Sequence, residues 1–164
     1  MSGLDDLGDD ALVRLLAADP PLSAEASAVL VSALDKLMAQ FARDGRLTRW
    51  AVSTDAGGAA LVIAWEGPAI SGCSHDKLAQ VLAKHEASSG SSMLAAPPIL
   101  IEIAGAARAI DRATLKKLVA ASQAGPTSMH WDLRISTLGE WRKHGRRPAA
   151  ETWLAPLLAP QTGG

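Results

Sequence analysis

The 164-residue sequence has a single cysteine, Cys73, and no long apolar run, and each shortage excludes a class of protein. With one cysteine the chain cannot form an internal disulfide, which agrees with a reducing cytoplasm. No apolar run approaches the roughly 20 residues that a membrane-spanning helix needs. The segment from Met1 to Asp6 lacks the basic region and the apolar core of a secretory signal. The sequence therefore predicts a cytoplasmic protein with no membrane partner.

Motifs for nucleotides, metals and cofactors are also missing. There is neither a Gly-x-x-x-x-Gly-Lys-Ser/Thr phosphate loop nor a Gly-x-Gly-x-x-Gly frame, so a nucleotide hydrolase is disfavoured. The motif His-Glu-x-x-His does not occur, and one cysteine cannot build a zinc ribbon. A metal site would need Cys73 and His75 to converge with a distant His130 or His144, which spacing alone does not predict. We expect no cofactor and no metal.

The charges nearly balance, with a formal net charge of −1, but they are unevenly distributed along the chain. This balance gives no overall field that would favour nucleic acid or an anionic membrane. The acidic residues of the first nineteen positions are Asp5, Asp6, Asp9, Asp10 and Asp19. The basic residues that crowd a short stretch near the end are Arg134, Arg142, Lys143, Arg146 and Arg147. We interpret both groups as solvated faces that pair loosely across the fold.

Changes in hydrophobic period predict an α+β protein. Residues 4–18 fit either a helix or a strand. The later elements are predicted as a helix at 23–43, strands at 49–54 and 59–65 that form a hairpin, a helix at 75–87, a flexible loop at 87–92, a strand at 98–104, a helix after Asp111 that Gly125 and Pro126 end, a strand at 129–135, and short helices at 137–144 and 149–158. Ser23, Ser74 and Asp111 are the expected N-caps of the first three helices.

This order of elements predicts one domain without an internal repeat. Hairpin strands followed by strands that helices separate indicate a mixed or antiparallel sheet of about four to five strands, with helices packed against it. The single α+β domain should span residues 11–158. An acidic segment at 1–10 precedes it, and a disordered tail at 159–164 follows it.

The strongest signal for a site lies where an apolar strand gives way to an amphipathic helix. The stretch consists of Ser71, Gly72, Cys73, Ser74, His75 and Asp76. Unpaired amides and the dipole at a helix N-terminus would stabilise a Cys73 thiolate, which His75 could assist. The same amides could instead bind a small anion. A third interpretation is structural, since a free cysteine also packs as a small buried side chain.

A second candidate is the basic stretch near the end of the chain. Its surface residues are Arg134, Arg142, Lys143, Arg146 and Arg147. Trp131 and Trp153 lie nearby, and mixtures of aromatic and basic side chains are typical of surfaces that bind nucleic acid or phosphate. The alternative is that both tryptophans anchor the core and the cations favour the C-terminal dipole of a helix. Nucleic acid is not the expected partner.

Segments 64–76, 115–119 and 151–154 carry a resemblance to a known family. The chain resembles a family of small uncharacterised bacterial proteins whose hallmark is a Ser-Gly-Cys-Ser-x-Asp turn entering a helix. Its members are often labelled "ABC transporter ATPase" in genome files, but this chain lacks every phosphate-loop residue that such an ATPase needs. The family pattern has a strand-like segment before its first long helix, which favours a strand at 11–17. His75 stands where the family usually carries an aliphatic residue, so the resemblance implies no role for it and brings no established activity.

Two functions from different classes remain. The favoured one is a non-catalytic binding or interaction module, with a site for a small anion or a protein partner at Ser71 to Asp76 or at the basic end. The other is a thiol-dependent enzyme or redox sensor with Cys73 as nucleophile and His75 or His130 as base. A nucleophilic cysteine normally needs an oriented base, and no second motif supplies one. Cys73→Ser separates the two, because covalent chemistry should vanish whereas binding should persist.

Overall fold

Two antiparallel sheets form the centre of the computed structural model, which describes residues 3–159, so most of the predicted tail at 159–164 lies outside it. The helices are α1 (Ala24–Arg43), α2 (Gly72–Ser89), α3 (Arg112–Ala120) and α4 (Leu138–His144). The strands are β1 (Leu12–Ala17), β2 (Arg49–Asp55), β3 (Ala60–Glu66), β4 (Ile99–Ile103), β5 (Ala106–Ile110), β6 (Met129–Trp131) and β7 (Arg146–Pro148). Short 3₁₀ turns lie at Leu4–Asp6, Ala56–Gly58, Ala149–Glu151 and Ala155–Leu157. The α+β class is confirmed, with the strands of the described range divided between two sheets instead of forming one.

Sheet 1 contains β1, β3 and β2 in that order, so β3 is its central strand. The residues of β3 from Ala60 to Trp65 are all buried, as an unbroken apolar sequence predicts for a strand covered on both faces. The predicted hairpin joins β2 to β3 through a reversal that needs Gly58. Its φ is +92°, and a Cβ there would lie 2.1 Å from the carbonyl oxygen of Leu22. Only glycine fits this position.

Sheet 2 contains β5, β4, β6 and β7 in that order, with β4 in its interior. The sequence predicts β4 and β6, but it predicts neither β5 nor β7. β5 follows β4 through a tight turn at Ala104 and Gly105, which have φ values of 52° and 82°. β7 has three residues and ends at Pro148. Both missed strands lie at the edges of sheet 2.

The helices and sheets stack in four layers. α1 and α2 cover the outer face of sheet 1, where Phe41 and Ile63 belong to one buried cluster. One part of the inner face of sheet 1 meets sheet 2 in a second cluster that contains Ala60 and Leu100, and α4 covers another part through Leu138. α3 covers the outer face of sheet 2, where Leu115 is fully buried. Among residues 3–159, no helix is both long and apolar enough to cross a bilayer.

Capping signals read from the sequence are confirmed at two helices. Ser23 caps α1 by accepting the amide of Ala26 at 3.0 Å, and Asp111 caps α3 by accepting the amide of Thr114 at 2.7 Å. The segment at 11–17, for which periodicity left two possibilities, contains the strand β1. Local signals therefore predict these elements correctly.

Predictions at both ends of α2 are wrong. The helix begins two residues before Ser74, so Ser74 lies in its first turn and does not cap it. The segment at 87–92 is not a flexible loop, because α2 continues into it. Beyond the helix, Asp19 and Ser92 exchange two backbone hydrogen bonds of 2.9 and 2.7 Å. The chain is therefore held in place here despite its low-complexity composition.

Two predicted elements near the end of the chain are shorter than expected. The strand predicted at 129–135 ends early, because Asp132 turns the chain by accepting the backbone amide of Arg134 at 3.0 Å through Oδ1. The helix predicted at 149–158 consists of two separate 3₁₀ turns. Between them, Thr152 has an extended backbone that interrupts the helix.

Candidate functional site

The predicted stretch from Ser71 to Asp76 forms the N-terminal end of α2, an 18-residue helix, with the exposed Asp76 just beyond its first turn. Ser71 is the N-cap residue and has an extended backbone, but its side chain makes no capping hydrogen bond. The first amides of a helix have no acceptor within the helix. Because the N-cap side chain supplies none either, these amides are left to solvent or to a ligand, and the helix dipole favours an anion.

Two arginines from other elements reach this turn. Arg14, in β1, is bonded through Nη1 to Nδ1 of His75 at 3.2 Å. Arg46, in the loop after α1, donates from Nη1 to Oγ of Ser74. A guanidinium can only donate hydrogen bonds, so Nδ1 of His75 is the acceptor in this contact. Two positive charges therefore border the first turn of α2.

Packing holds both arginines in place. The guanidinium carbon of Arg46 lies 5.6 Å from the ring centre of Phe41. Arg14 lies between Leu12 and Leu16 on the face of β1 that meets the helices. Burial lowers the pKa of Arg14, although an arginine keeps its charge at neutral pH. Reduced contact with water strengthens its attraction for an anion.

Neighbouring side chains of the turn have opposite environments. Ser74 is 1% exposed, and its Oγ lies 3.2 Å from Oγ of Ser71. Cys73 is exposed, so the interpretation in which it packs as a small buried side chain is wrong. In the part of the chain that the structure describes, no hydrogen bond joins Cys73 to a histidine ring.

The histidines considered as partners of Cys73 do not gather around it. His130 lies in sheet 2, and sheet 1 stands between it and α2. His75 lies in the turn but is bonded to Arg14. Within the described range, no group of three potential ligands is placed to hold a metal ion. Covalent chemistry at Cys73 therefore lacks an oriented base in this arrangement.

The predicted basic surface is divided among separate environments. Arg142 binds the acidic N-terminal segment, with hydrogen bonds of 2.7 Å to Oδ1 of Asp9 and of 2.6 Å to each of the carbonyl oxygens of Leu4 and Leu7. The predicted pairing between the two charged ends of the chain is confirmed at this contact. Lys143, the next residue of α4, is exposed.

Arg146 and Arg147 are neighbours in β7 and point to opposite faces of sheet 2. The guanidinium carbon of Arg146 lies 5.4 Å from the ring centre of Trp131, and its Nη2 lies 3.7 Å from the carboxylate of Glu102. Arg147 is paired directly with His130, on the face that α3 covers. These two residues therefore cannot contribute to one surface.

Arg134, the remaining member of the basic set, lies on the same outer face as Arg147. Its guanidinium carbon is 5.0 Å from the ring centre of Trp153, and Arg112 approaches that ring at 5.8 Å. The ring of His130 meets Trp153 edge-on. Basic and aromatic side chains thus converge here, around a tryptophan rather than along the predicted stretch.

Comparisons with protein-family models, with curated proteins and with solved structures give no match. The resemblance carried by Ser71 to Asp76 therefore stays a prediction. Any inference of function rests on the geometry of the residues themselves.

The fold brings to these places three arginines that the sequence did not point to, namely Arg14, Arg46 and Arg112. Arg14 has a recognisable signal, since it is the only charge in the apolar segment Leu12–Ala17, where alternation places it beside core residues. The other two have none, because their contacts join segments that are distant in sequence. Only the folded chain identifies them.

Proposed function

We propose that this protein is a non-catalytic binding module of the cytoplasm that holds a small anion at the N-terminal turn of α2. One observation supports this function. Arg14 and Arg46, from two separate elements, both reach a helix N-terminus whose N-cap Ser71 leaves the first amides unpaired. The dipole, the amides and the guanidiniums all favour negative charge at one place. The motif of this turn also supports membership of the bacterial family that the chain resembles.

The turn has room for a small oxyanion. Outside the helix itself, no described atom lies within 4 Å of the position that a Cβ on Gly72 would take. Ser71 and Cys73, on either side, are exposed. A phosphate or sulfate ion presents oxygens in several directions, so it can meet amides and guanidiniums together, whereas a carboxylate has only two oxygens. We therefore expect a tetrahedral anion to bind more tightly than a carboxylate.

The second candidate function is a thiol-dependent enzyme or redox sensor, because the exposed Cys73 lies in the same turn. The geometry favours it less, since His75 is engaged by Arg14 and, among residues 3–159, no histidine ring forms a hydrogen bond with Cys73. Cys73→Ser distinguishes the candidates. A binding module keeps its affinity for inorganic phosphate, and a thiol-dependent protein loses its covalent reaction.

The exposed thiol provides a local assay for an anion at the turn. We expect the uncharged reagent iodoacetamide to alkylate Cys73 in the folded protein. Inorganic phosphate should slow this reaction, because an anion at the turn covers it and disfavours the thiolate. Sodium chloride at the same ionic strength is the control for general screening.

Three glutamine variants test which arginines hold the anion. Arg46→Gln and Arg14→Gln should each weaken the protection by phosphate roughly tenfold, since each removes a charge-assisted contact. Arg43→Gln removes the same charge from the exposed end of α1 and should leave protection unchanged. Protection by chloride equal to that by phosphate, or equal protection in all three variants, would contradict the proposed site.

A further inference from the structure

Two exposed arginines lie over the indole of Trp153 on the outer face of sheet 2. The guanidinium carbon of Arg134, in the turn after β6, is 5.0 Å from the ring centre, and that of Arg112, the first residue of α3, is 5.8 Å from it. A guanidinium that stacks through its flat face keeps its N–H groups at the edge, free for bidentate hydrogen bonds. Trp153 therefore brings two such groups close together.

A third arginine borders this cluster. Arg147 in β7 is paired directly with His130 in β6, and the His130 ring lies edge-on to Trp153, with ring centres 5.9 Å apart. The ion pairs found among residues 3–159 involve other arginines, and none of them contains Arg112, Arg134 or Arg147. Three guanidiniums thus surround one aromatic pair without a carboxylate partner in the described range.

Two carboxylates next to this cluster, those of Asp132 and Asp111, each accept a backbone amide. Oδ1 of Asp132 accepts the amide of Arg134 at 3.0 Å. Asp111 accepts the amide of Thr114 as the N-cap of α3, and this hydrogen bond lowers the pKa of Asp111. Amide hydrogen bonds do not cancel the charge of a carboxylate, so three guanidiniums beside these two carboxylates leave an excess of one positive charge.

Two buried donors of the same cluster lack an acceptor. Nε of Arg147 and Nε1 of Trp153 are the only buried side-chain nitrogen or oxygen atoms of residues 3–159 that have no hydrogen-bond partner. An unpaired buried donor is costly, so native proteins rarely keep one without a reason. Here both lie beside the same imidazole. Both are covered from solvent, so an acceptor could pair with them only by entering the cluster between the arginines.

His130 contributes no charge to this cluster. Oγ1 of Thr152 donates its one hydrogen to the carbonyl oxygen of Ala149 at 2.8 Å, so it must accept from Nδ1–H of His130 at 3.0 Å. His130 is 1% exposed, and burial lowers its pKa to about 4, with Asp132 opposing this shift and Arg147 adding to it. At neutral pH the imidazole is therefore neutral, and the positive charge comes from the arginines alone.

We propose that Arg112, Arg134 and Arg147 form a second site, which binds the phosphate group of a small molecule. Guanidiniums match phosphate through planar, bidentate hydrogen bonds, and a phosphate group can accept such bonds from more than one arginine. The site lies on the outer face of sheet 2, whereas the α2 turn lies on the outer face of sheet 1. It therefore does not depend on the function proposed for that turn.

Indole N–H resonances in heteronuclear NMR spectra report on this site directly. The resonance of Trp153 is assigned from its loss in Trp153→Phe, and inorganic pyrophosphate is the probe. At neutral pH we expect a saturable shift of the Trp153 resonance. Trp50, whose Nε1 donates to Asp35 at 2.7 Å beside sheet 1, is the internal control and should not follow it.

Glutamine variants of the two exposed arginines test the proposed site. Arg112→Gln and Arg134→Gln should each weaken pyrophosphate binding roughly tenfold, because each loses a charge-assisted contact, and Arg43→Gln should bind like the parent protein. Unchanged binding in the first two variants, or shifts of Trp50 that follow those of Trp153, would overturn the site. An oligonucleotide that shifts Trp153 where pyrophosphate does not would overturn the assignment to a small molecule.

Alkylation of Cys73 in the same samples separates this site from the α2 turn. Arg46→Gln should weaken the protection of Cys73 by phosphate and keep the pyrophosphate shift of Trp153. Arg134→Gln should weaken the pyrophosphate shift of Trp153 and keep the protection of Cys73 by phosphate. Loss of both responses in either variant would mean that the two places are not independent, which would overturn the second site as described.

Discussion

The outer faces of the two sheets are covered in different ways. Sheet 1 meets its helices mainly through hydrocarbon, with Leu34 and Phe41 of α1 fully buried against it and Arg14 as a polar exception. The outer face of sheet 2 is apolar only in part, because β6 and β7 place His130 and Arg147 there, and Trp153 packs beside them. Apolar packing needs no partner, whereas buried donors need acceptors. We therefore expect stability to depend most on sheet 1, whereas the buried donors without a partner in the described range lie at sheet 2.

Removing a large apolar side chain beside sheet 1 should lower the stability of the protein most. Phe41 is 0% exposed, so Phe41→Ala should lower the free energy of unfolding by about 3–5 kcal/mol in urea titrations. Leu118→Ala, on the half-buried face of α3 beside sheet 2, should cost less. Val29 is 55% exposed, so Val29→Ala is the matched control and should change stability by less than about 0.5 kcal/mol. If Leu118→Ala lowered the free energy of unfolding as much as Phe41→Ala, the two sheets would not differ in what their outer faces contribute to stability.

Mild acid should destabilise the protein through His130, on the sheet 2 side. Burial lowers the pKa of His130 from 6.5 to about 4, so the unfolded chain takes up this proton at a higher pH than the folded chain. The stability involved is fully present above pH 6.5 and is lost as the pH falls towards 4, by up to about 3 kcal/mol. Urea titrations over this range should show the slope in the parent protein and a flatter one in His130→Gln. An unchanged slope would show that His130 is not the group responsible.

Releasing the N-terminal segment should lower the stability of the protein moderately. Arg142 holds this segment with three hydrogen bonds, and its side chain is 31% exposed. Because solvent weakens such contacts, Arg142→Gln should cost about 1–2 kcal/mol and speed proteolysis before residue 10. Asp9→Asn removes only the ion pair and should cost less than about 1 kcal/mol. Equal costs for the two variants would mean that the contacts with the carbonyl oxygens of Leu4 and Leu7 add nothing.

Loss of a helix cap should have the smallest effect. Ser23 accepts the amide of Ala26 at 3.0 Å, so Ser23→Ala should lower the free energy of unfolding by about 1 kcal/mol. Ser23→Asp keeps an acceptor at the cap and should restore stability. A loss at Ser23 as large as that at Phe41 would show that α1 is held by its end, and not by its apolar face against sheet 1.

Elements that depend on local signals could be predicted from the sequence, and elements that depend on distant pairing could not. The caps Ser23 and Asp111 and the apolar run of β3 are local, and each identifies its element. β5 has little apolar bulk and is defined by its pairing with β4 across the turn at Ala104 and Gly105. β7 is short and ends at Pro148, so no period can be detected in it.

The same distinction between local patterns and distant contacts holds for the two sites. The helix N-terminus at Cys73 follows from a local pattern of small residues before an amphipathic helix. The contact between Arg14 and His75 spans 61 positions, and that between Arg46 and Ser74 spans 28, so no periodicity reveals them. A run of basic residues likewise does not show that a strand will send two adjacent arginines to opposite faces.

The four-layer order places the two proposed sites on opposite outer sides, or poles, of the protein. The α2 turn belongs to one pole and the arginines around Trp153 belong to the other, with both sheets between them. Stacked sheets alone are about 10 Å apart. Ligands at the two poles would neither touch nor displace one another, and binding should reach two equivalents per chain. The domain would then act as a spacer of fixed width, which links two anionic groups while keeping them apart.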